Sequence, residues 1–97
     1  MKKREEILKI LRSEAPYLKQ EFGLARAGLF GSWARQEQTE KSDIDILVEF
    51  ERPVGFFKFL ELEDYLSNIL GVKVDLVTPD ALKPLIENKI IQETIYA

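Results

Sequence analysis

Residues 43–50 read Asp-Ile-Asp-Ile-Leu-Val-Glu-Phe, and ten residues separate them from the dipeptide Gly31-Ser32. The stretch 43–50 alternates with the two-residue period of a strand. Ile44, Ile46, Val48 and Phe50 fall on one face, and Asp43, Asp45, Leu47 and Glu49 on the other. Asp43 and Asp45 therefore stand side by side, and their mutual repulsion invites a divalent cation. The chain contains no histidine and no cysteine, so a hard, oxygen-liganded ion such as Mg²⁺ suits these acids best. Two such ions about 3.5–4 Å apart would serve phosphoryl or nucleotidyl transfer.

Upstream, Leu24–Phe30 reads as a short strand that Gly31-Ser32 breaks, and residues 32–37 could form a short helix. Glycine allows close backbone approach to a phosphate, and the start of the next helix offers free N–H groups. Ser32 can add its N–H and hydroxyl. Arg35, one turn on, can make charge-assisted contacts to a triphosphate. Before that strand, Ile7, Leu8, Leu11, Ala15 and Leu18 recur at helical spacing and predict a helix over 3–21. Pro16 should kink or shorten it, and Gly23 is placed to end it.

Downstream, Pro53 and Gly55 mark a loop. Residues 56–70 carry the apolar stripe Phe59, Leu62, Leu66, Ile69 and Leu70 of a second amphipathic helix, with Gly71 as its cap. Residues 72–78 predict a strand with Val72, Val74 and Leu76 inward and Asp75 on the opposite face. If that face is the one bearing Asp43 and Asp45, Asp75 is a third acid that ligates a metal or accepts a proton. Thr78-Pro79 can start a helix that ends near Leu82, or one resumes after Pro84 and runs through Ile91. The expected fold is α+β: one small mixed sheet flanked by helices, in a single domain over residues 1–97.

Composition narrows the chemistry. Of 97 residues, 45% are hydrophobic and 32% charged, a soluble globular balance. Without cysteine or histidine there is no disulfide, no thiol nucleophile, no Cys/His zinc site and no Ser-His-Asp arrangement. No apolar run could span a bilayer and no apolar segment follows the basic N-terminus, so a cytoplasmic protein away from membranes is expected. The net charge of −3 argues against binding nucleic acid unaided. It divides unevenly, with 9 Lys/Arg against 6 Asp/Glu in residues 1–42 and 5 against 11 in residues 43–97.

Each feature also has a plainer reading. Gly-Ser alone is usually a turn, Asp-x-Asp a strand entry, and Arg35 or Asp75 a solvated charge. Trp33 could stack on a base, but ordinary packing accounts for it better. Glu37, Glu49 and Glu51 read as surface charge. Phe56, Phe57, Phe59 and Leu60 offer more apolar surface than one helix face buries. Either it all packs under the sheet, or a remnant marks an interface, a homo-oligomer included.

The ordered combination resembles a known family. Gly31-Ser32, ten residues, then Asp43-Ile44-Asp45-Ile46 is similar to the signature of the polymerase-beta-type nucleotidyltransferases. Leu29-Phe30-Gly31-Ser32-Trp33-Ala34-Arg35 with Ser42-Asp43-Ile44-Asp45-Ile46-Leu47-Val48 looks like the minimal nucleotidyltransferases of bacteria and archaea. Val74-Asp75-Leu76-Val77 fits the third-acid strand, and the ending from Leu82 to Tyr96 looks familiar for that group. One position departs: Gln36 stands where the family usually has glycine.

The resemblance implies a polymerase-beta-like fold. It also implies triphosphate binding by Gly31 and Ser32, Mg²⁺ binding by Asp43 and Asp45, and Asp75 completing the triad. Minimal members are often paired with a HEPN ribonuclease toxin. They act as its antitoxin, some by transferring AMP from ATP to a toxin tyrosine. A HEPN-type partner and ATP are thus implied here. A non-catalytic antitoxin or nucleotide-binding module acting by contact is the alternative, because a chain this short has no separate substrate-holding domain. Small-molecule nucleotidylation would need an acceptor pocket that no segment supplies.

Overall fold

A computed structural model describes residues 3–97. Helix α1 (Arg4–Phe22) leads into β1 (Leu24–Phe30), the one-turn α2 (Gly31–Ala34) and β2 (Ile44–Phe50). Helix α3 (Phe56–Leu70), β3 (Val74–Val77), a 3-10 turn (Pro79–Ala81), α4 (Pro84–Glu93) and β4 (Ile95–Tyr96) complete the chain. The four strands form one mixed sheet in the order β3-β2-β1-β4. β2 runs parallel to β3, while β1 is antiparallel to both β2 and β4.

The alternation expected for residues 43–50 holds. Ile44, Ile46 and Val48 are fully buried, and with Leu29, Val74 and Leu76 they face the apolar sides of α1 and α3. Ile7, Leu8, Leu11, Leu18 and Phe22 come from α1, and Leu62, Leu66 and Leu70 from α3. Burying each of these side chains contributes about 1.5–3 kcal/mol.

Helix α1 runs through Pro16 without a break. Pro16 and Arg12, whose carbonyl loses its usual partner, are both exposed, so water can replace the missing donor. Ala15, expected inside, is exposed for the same reason: it shares that outer face with Pro16.

The short β4 was not foreseen, because two residues are too few to show a period. Its space comes from Gly28 in the middle of β1, where a Cβ would run into Thr94 and the Tyr96 ring. Ile95 and Tyr96 then pair with Leu29 and Gly28, and the Ala97 N–H donates to the Ala27 carbonyl at 2.9 Å.

On α3, the helix start leaves an apolar remnant. Phe59 packs against the core, whereas Phe56, Phe57 and Leu60 remain exposed. Among the described residues, no helix is long and apolar enough to cross a membrane.

Candidate active site

The strand pairing decides which side chains meet. In the antiparallel β1/β2 ladder, Phe30 lies opposite Asp45, so Gly31-Ser32 leaves the sheet beside the start of β2. In the parallel β2/β3 ladder, Asp45 lies opposite Asp75. Directly opposed residues share a face, and this face is the one turned away from α1 and α3. Gly31, Asp43, Asp45 and Asp75 are thereby drawn to one corner of the sheet.

Asp75 is held there by α3. As an edge strand, β3 has outward N–H groups, and two find side-chain acceptors. The Val74 N–H donates to Ser67 Oγ at 2.9 Å, and the Leu76 N–H donates to Glu63 Oε2 at 3.0 Å. These bonds flank Asp75 and fix its register.

Asp43 is held by its neighbours. The Ile44 N–H donates to the Lys73 carbonyl at 2.8 Å, and Lys73 Nζ lies 3.7 Å from Asp43 Oδ2. Trp33 is only 2% exposed, so its ring belongs to the core and cannot stack on a base. Its indole N–H reaches the Ser42 carbonyl at 3.4 Å, which ties the approach to Asp43 to α2.

The electrostatics are those of crowded acids. Asp45 is held above the usual carboxylate range, first by burial and then by Asp75 and Asp43, with Arg35 pulling the other way. Asp75 is also raised, first by burial; Lys73 opposes the shift and Asp43 adds to it. Among the described residues, no three His, Cys, Asp or Glu side chains form a preformed metal cage. The donor set nonetheless fits Mg²⁺, which usually takes one or two carboxylates and completes its shell with water and substrate phosphate oxygens.

Gly31 has a second duty. Its φ is +75°, in the left-handed region, and a Cβ there would overlap the Asp45 carboxylate. The glycine read as room for a phosphate thus makes room for an acid of the site itself. Ser32, next to it, is half-buried.

After α2, the Gln36 N–H donates to the Trp33 carbonyl at 3.3 Å and the Glu37 N–H to the Ser32 carbonyl at 2.8 Å. This pair of bonds is a Schellman cap, which asks for a left-handed residue at position 36. Gln36 adopts it, at φ +59°, which explains why a glycine suits this position.

Arg35 does not point freely to solvent. Its Nε bonds Glu37 Oε1 at 2.7 Å, and its Nη1 bonds both carboxylate oxygens of Glu93 at 3.2 and 3.3 Å. Glu93 Oε1 also accepts the Gly31 N–H at 3.1 Å. Glu93 is the residue that sequence reading missed; nothing local marks a glutamate at the end of a helix 62 positions from Gly31. Glu37 pairs with Arg35, Glu49 with Arg26 at 2.6 Å and Glu51 with Lys19 at 3.4 Å, all surface pairs as expected.

Phe30, Gly31 and Arg35 with Ile86, Lys89, Ile90 and Glu93 line a cleft of about 290 Å³ beside this corner. A larger groove of about 820 Å³, lined by Phe50, Pro53, Phe59 and Pro79 among others, lies at the opposite ends of β2 and β3. Its lining begins at Val48 and Thr78, three residues or about 10 Å from Asp45 and Asp75.

A mixed sheet whose corner joins a Gly-Ser turn to paired aspartates defines the class of the nucleotidyltransferases. The sequence model of the nucleotidyltransferase domain matches residues 4–97, and the chain belongs to that family. It is 53% identical over 97 residues to the Methanocaldococcus jannaschii protein MJ0128, provisionally named a protein adenylyltransferase, with 99% of each chain covered. It is 45% identical over 92 residues to the protein adenylyltransferase MntA of Thermococcus cleftensis, covering 95% of this chain and 93% of that one.

Among solved structures, one provisionally described as a minimal nucleotidyltransferase superposes with a TM-score of 0.81 at 31% identity, over 97% of this chain and 95% of the other. Another contains a tri-AMPylated Shewanella oneidensis HEPN toxin in complex with an MNT antitoxin. It matches with a TM-score of 0.60 at 25% identity, over 96% of this chain and 66% of the other. The chain is an enzyme of the nucleotidyltransferase type with the α+β fold of the minimal members.

Proposed function

We propose that this nucleotidyltransferase transfers AMP from ATP, with Mg²⁺, to a hydroxyl of a HEPN-type partner protein, and so acts as the antitoxin of a toxin–antitoxin pair. The observation that carries the reading is the cross-strand row Phe30–Asp45–Asp75, which sets two acids beside the Gly31-Ser32 turn, with Asp43 just before β2 as the third. Asp43, Asp45 and Asp75 would hold the metal; Gly31, Ser32 and Arg35 would hold the triphosphate. Mg²⁺, when bound, supplies charge neutralisation for the leaving pyrophosphate and acidifies the attacking hydroxyl.

The chain's own part is to place the α-phosphorus in line with the acceptor oxygen. That oxygen bonds to phosphorus, the bond to the β-phosphate oxygen breaks, and pyrophosphate leaves. Asp75, across from Asp45 on the neighbouring strand, is placed to take the hydroxyl proton. Names of similar proteins support adenylylation of protein, and the tri-AMPylated toxin in complex with its MNT antitoxin supports the partner class.

The surface supports a protein acceptor as well. Helix α4 buries none of its residues, and Leu85 and Ile86 are 95% and 48% exposed. Ile86 lines the cleft beside Gly31, so a docked protein would cover apolar surface and complete the cleft together.

The test uses ATP labelled at the α-phosphate, Mg²⁺ and the HEPN-type partner. Label should pass to the partner with the wild-type chain and not with the folded double variant Asp43→Asn, Asp45→Asn. Label transfer by the double variant would reject the assignment. Neutralisation of the partner by the double variant without any transfer would instead select action by contact.

A further inference from the structure

The transfer reading leaves one carboxylate unused. Glu93 ends α4, and its side chain is 24% exposed. Its two oxygens lie on the Gly31 N–H and the Arg35 guanidinium, at 3.1 to 3.3 Å. A backbone N–H and a guanidinium gripping a two-oxygen anion is the chemistry by which proteins hold a phosphate. Both groups are the ones assigned above to the triphosphate. The single Gly31 N–H cannot serve Glu93 and a phosphate oxygen at once.

Two further observations bear on how Glu93 is held. Its charge repels that of Asp45, which adds to the crowding of acids in the corner. And α4, which carries it, is a surface helix with no buried residue, meeting the rest of the fold chiefly at α2. Lys89, one turn earlier on α4, lines the same cleft as Arg35. When Glu93 leaves, two cations remain on the cleft wall.

We propose that Glu93 is an internal stand-in for a nucleotide phosphate: it fills the Gly31–Arg35 anion site in the free chain, and a nucleoside triphosphate binds by exchanging a phosphate oxygen for its carboxylate. The inference rests on the reading that Gly31 and Arg35 receive the triphosphate. It makes Glu93 the residue that sets nucleotide affinity. A purely structural Glu93 has the opposite consequence, because losing a strut would loosen the turn and weaken binding.

The experiment is equilibrium dialysis of a non-hydrolysable ATP analogue, with Mg²⁺, against the wild-type chain and Glu93→Gln. Glutamine keeps the size and one acceptor oxygen but removes the competing charge. The variant should bind the analogue about three- to ten-fold more tightly, the scale of a half-exposed ion pair that no longer competes. Equal or weaker binding by the variant would overturn the inference while leaving the functional reading in place. If neither protein binds the analogue, the functional reading falls and the inference with it.

A second readout needs no substitution and decides the matter should the variant not fold. In the wild-type chain, the Glu93 carboxyl carbon and the Gly31 amide should both shift in NMR spectra as the analogue saturates. A Glu93 carboxyl resonance that stays in place at saturation would also overturn the inference.

Discussion

Gln36 sits at φ +59° in a cap that favours glycine. A left-handed conformation costs a residue with a side chain about 1–2 kcal/mol, and glycine gives back about 0.5–1 kcal/mol in the unfolded chain. Gln36→Gly should therefore stabilise the protein by about 0.5–1 kcal/mol. Thermal unfolding should show a midpoint a few degrees higher; a lower midpoint would mean that the Gln36 side chain makes a stabilising contact.

Asp45 illustrates the opposite trade. Its folded-state proton affinity is raised above the ordinary 3.8 by burial and by its acidic neighbours. A carboxylate raised in this way contributes its stability below pH 3.8, and loses it as pH climbs through the raised value. At neutral pH the charged Asp45 destabilises the metal-free fold. Asp45→Asn should raise the unfolding midpoint at pH 7, and the gain should shrink toward zero as the pH approaches 3.8. A gain that is the same at both pH values would contradict this origin.

Among the elements, β3 shows how a site residue is positioned from outside. Glu63 on α3 satisfies the Leu76 N–H and so secures the strand that carries Asp75. Glu63→Ala should cost about 1 kcal/mol in stability, the net worth of such a bond. It should also lower transfer activity more than nucleotide affinity, because Asp75 shifts while the phosphate turn does not. A variant with unchanged stability and unchanged transfer would show that β3 needs no such anchor.

The strands β2 and β3 and the helices α1 and α3 were legible because each carries a period of buried residues: Ile44, Ile46 and Val48 for β2, Leu62, Leu66 and Leu70 for α3. Strand β1 does not alternate and was legible from the Gly31-Ser32 break that ends it. The corner of acids was legible for the same reason, since alternation alone put Asp43 and Asp45 on one face. Two things were not. Strand β4 has two residues and no period, although Gly28, a glycine inside a strand, is the signal that another backbone comes close. The Glu93 contact joins residues far apart in sequence, and only the tertiary fold brings that glutamate to Gly31.

Across the whole molecule, the fold spends one face of the sheet on a core and leaves the other half-covered, with the acids at its corner. The cleft there holds about 290 Å³, small beside a typical ligand pocket of about 300–1,000 Å³. Exposed Ile86 lines it, which leaves one wall open to the surface of the proposed protein acceptor. The central claim is that the row joining Phe30, Asp45 and Asp75 makes a single transfer site. The most direct measurement is the single-turnover rate of AMP transfer from α-labelled ATP to the HEPN-type partner, for the wild-type chain and Asp75→Asn. Loss of a positioned proton acceptor predicts a rate at least about 100-fold lower, with the fold retained. Transfer by Asp75→Asn at the wild-type rate would contradict the account.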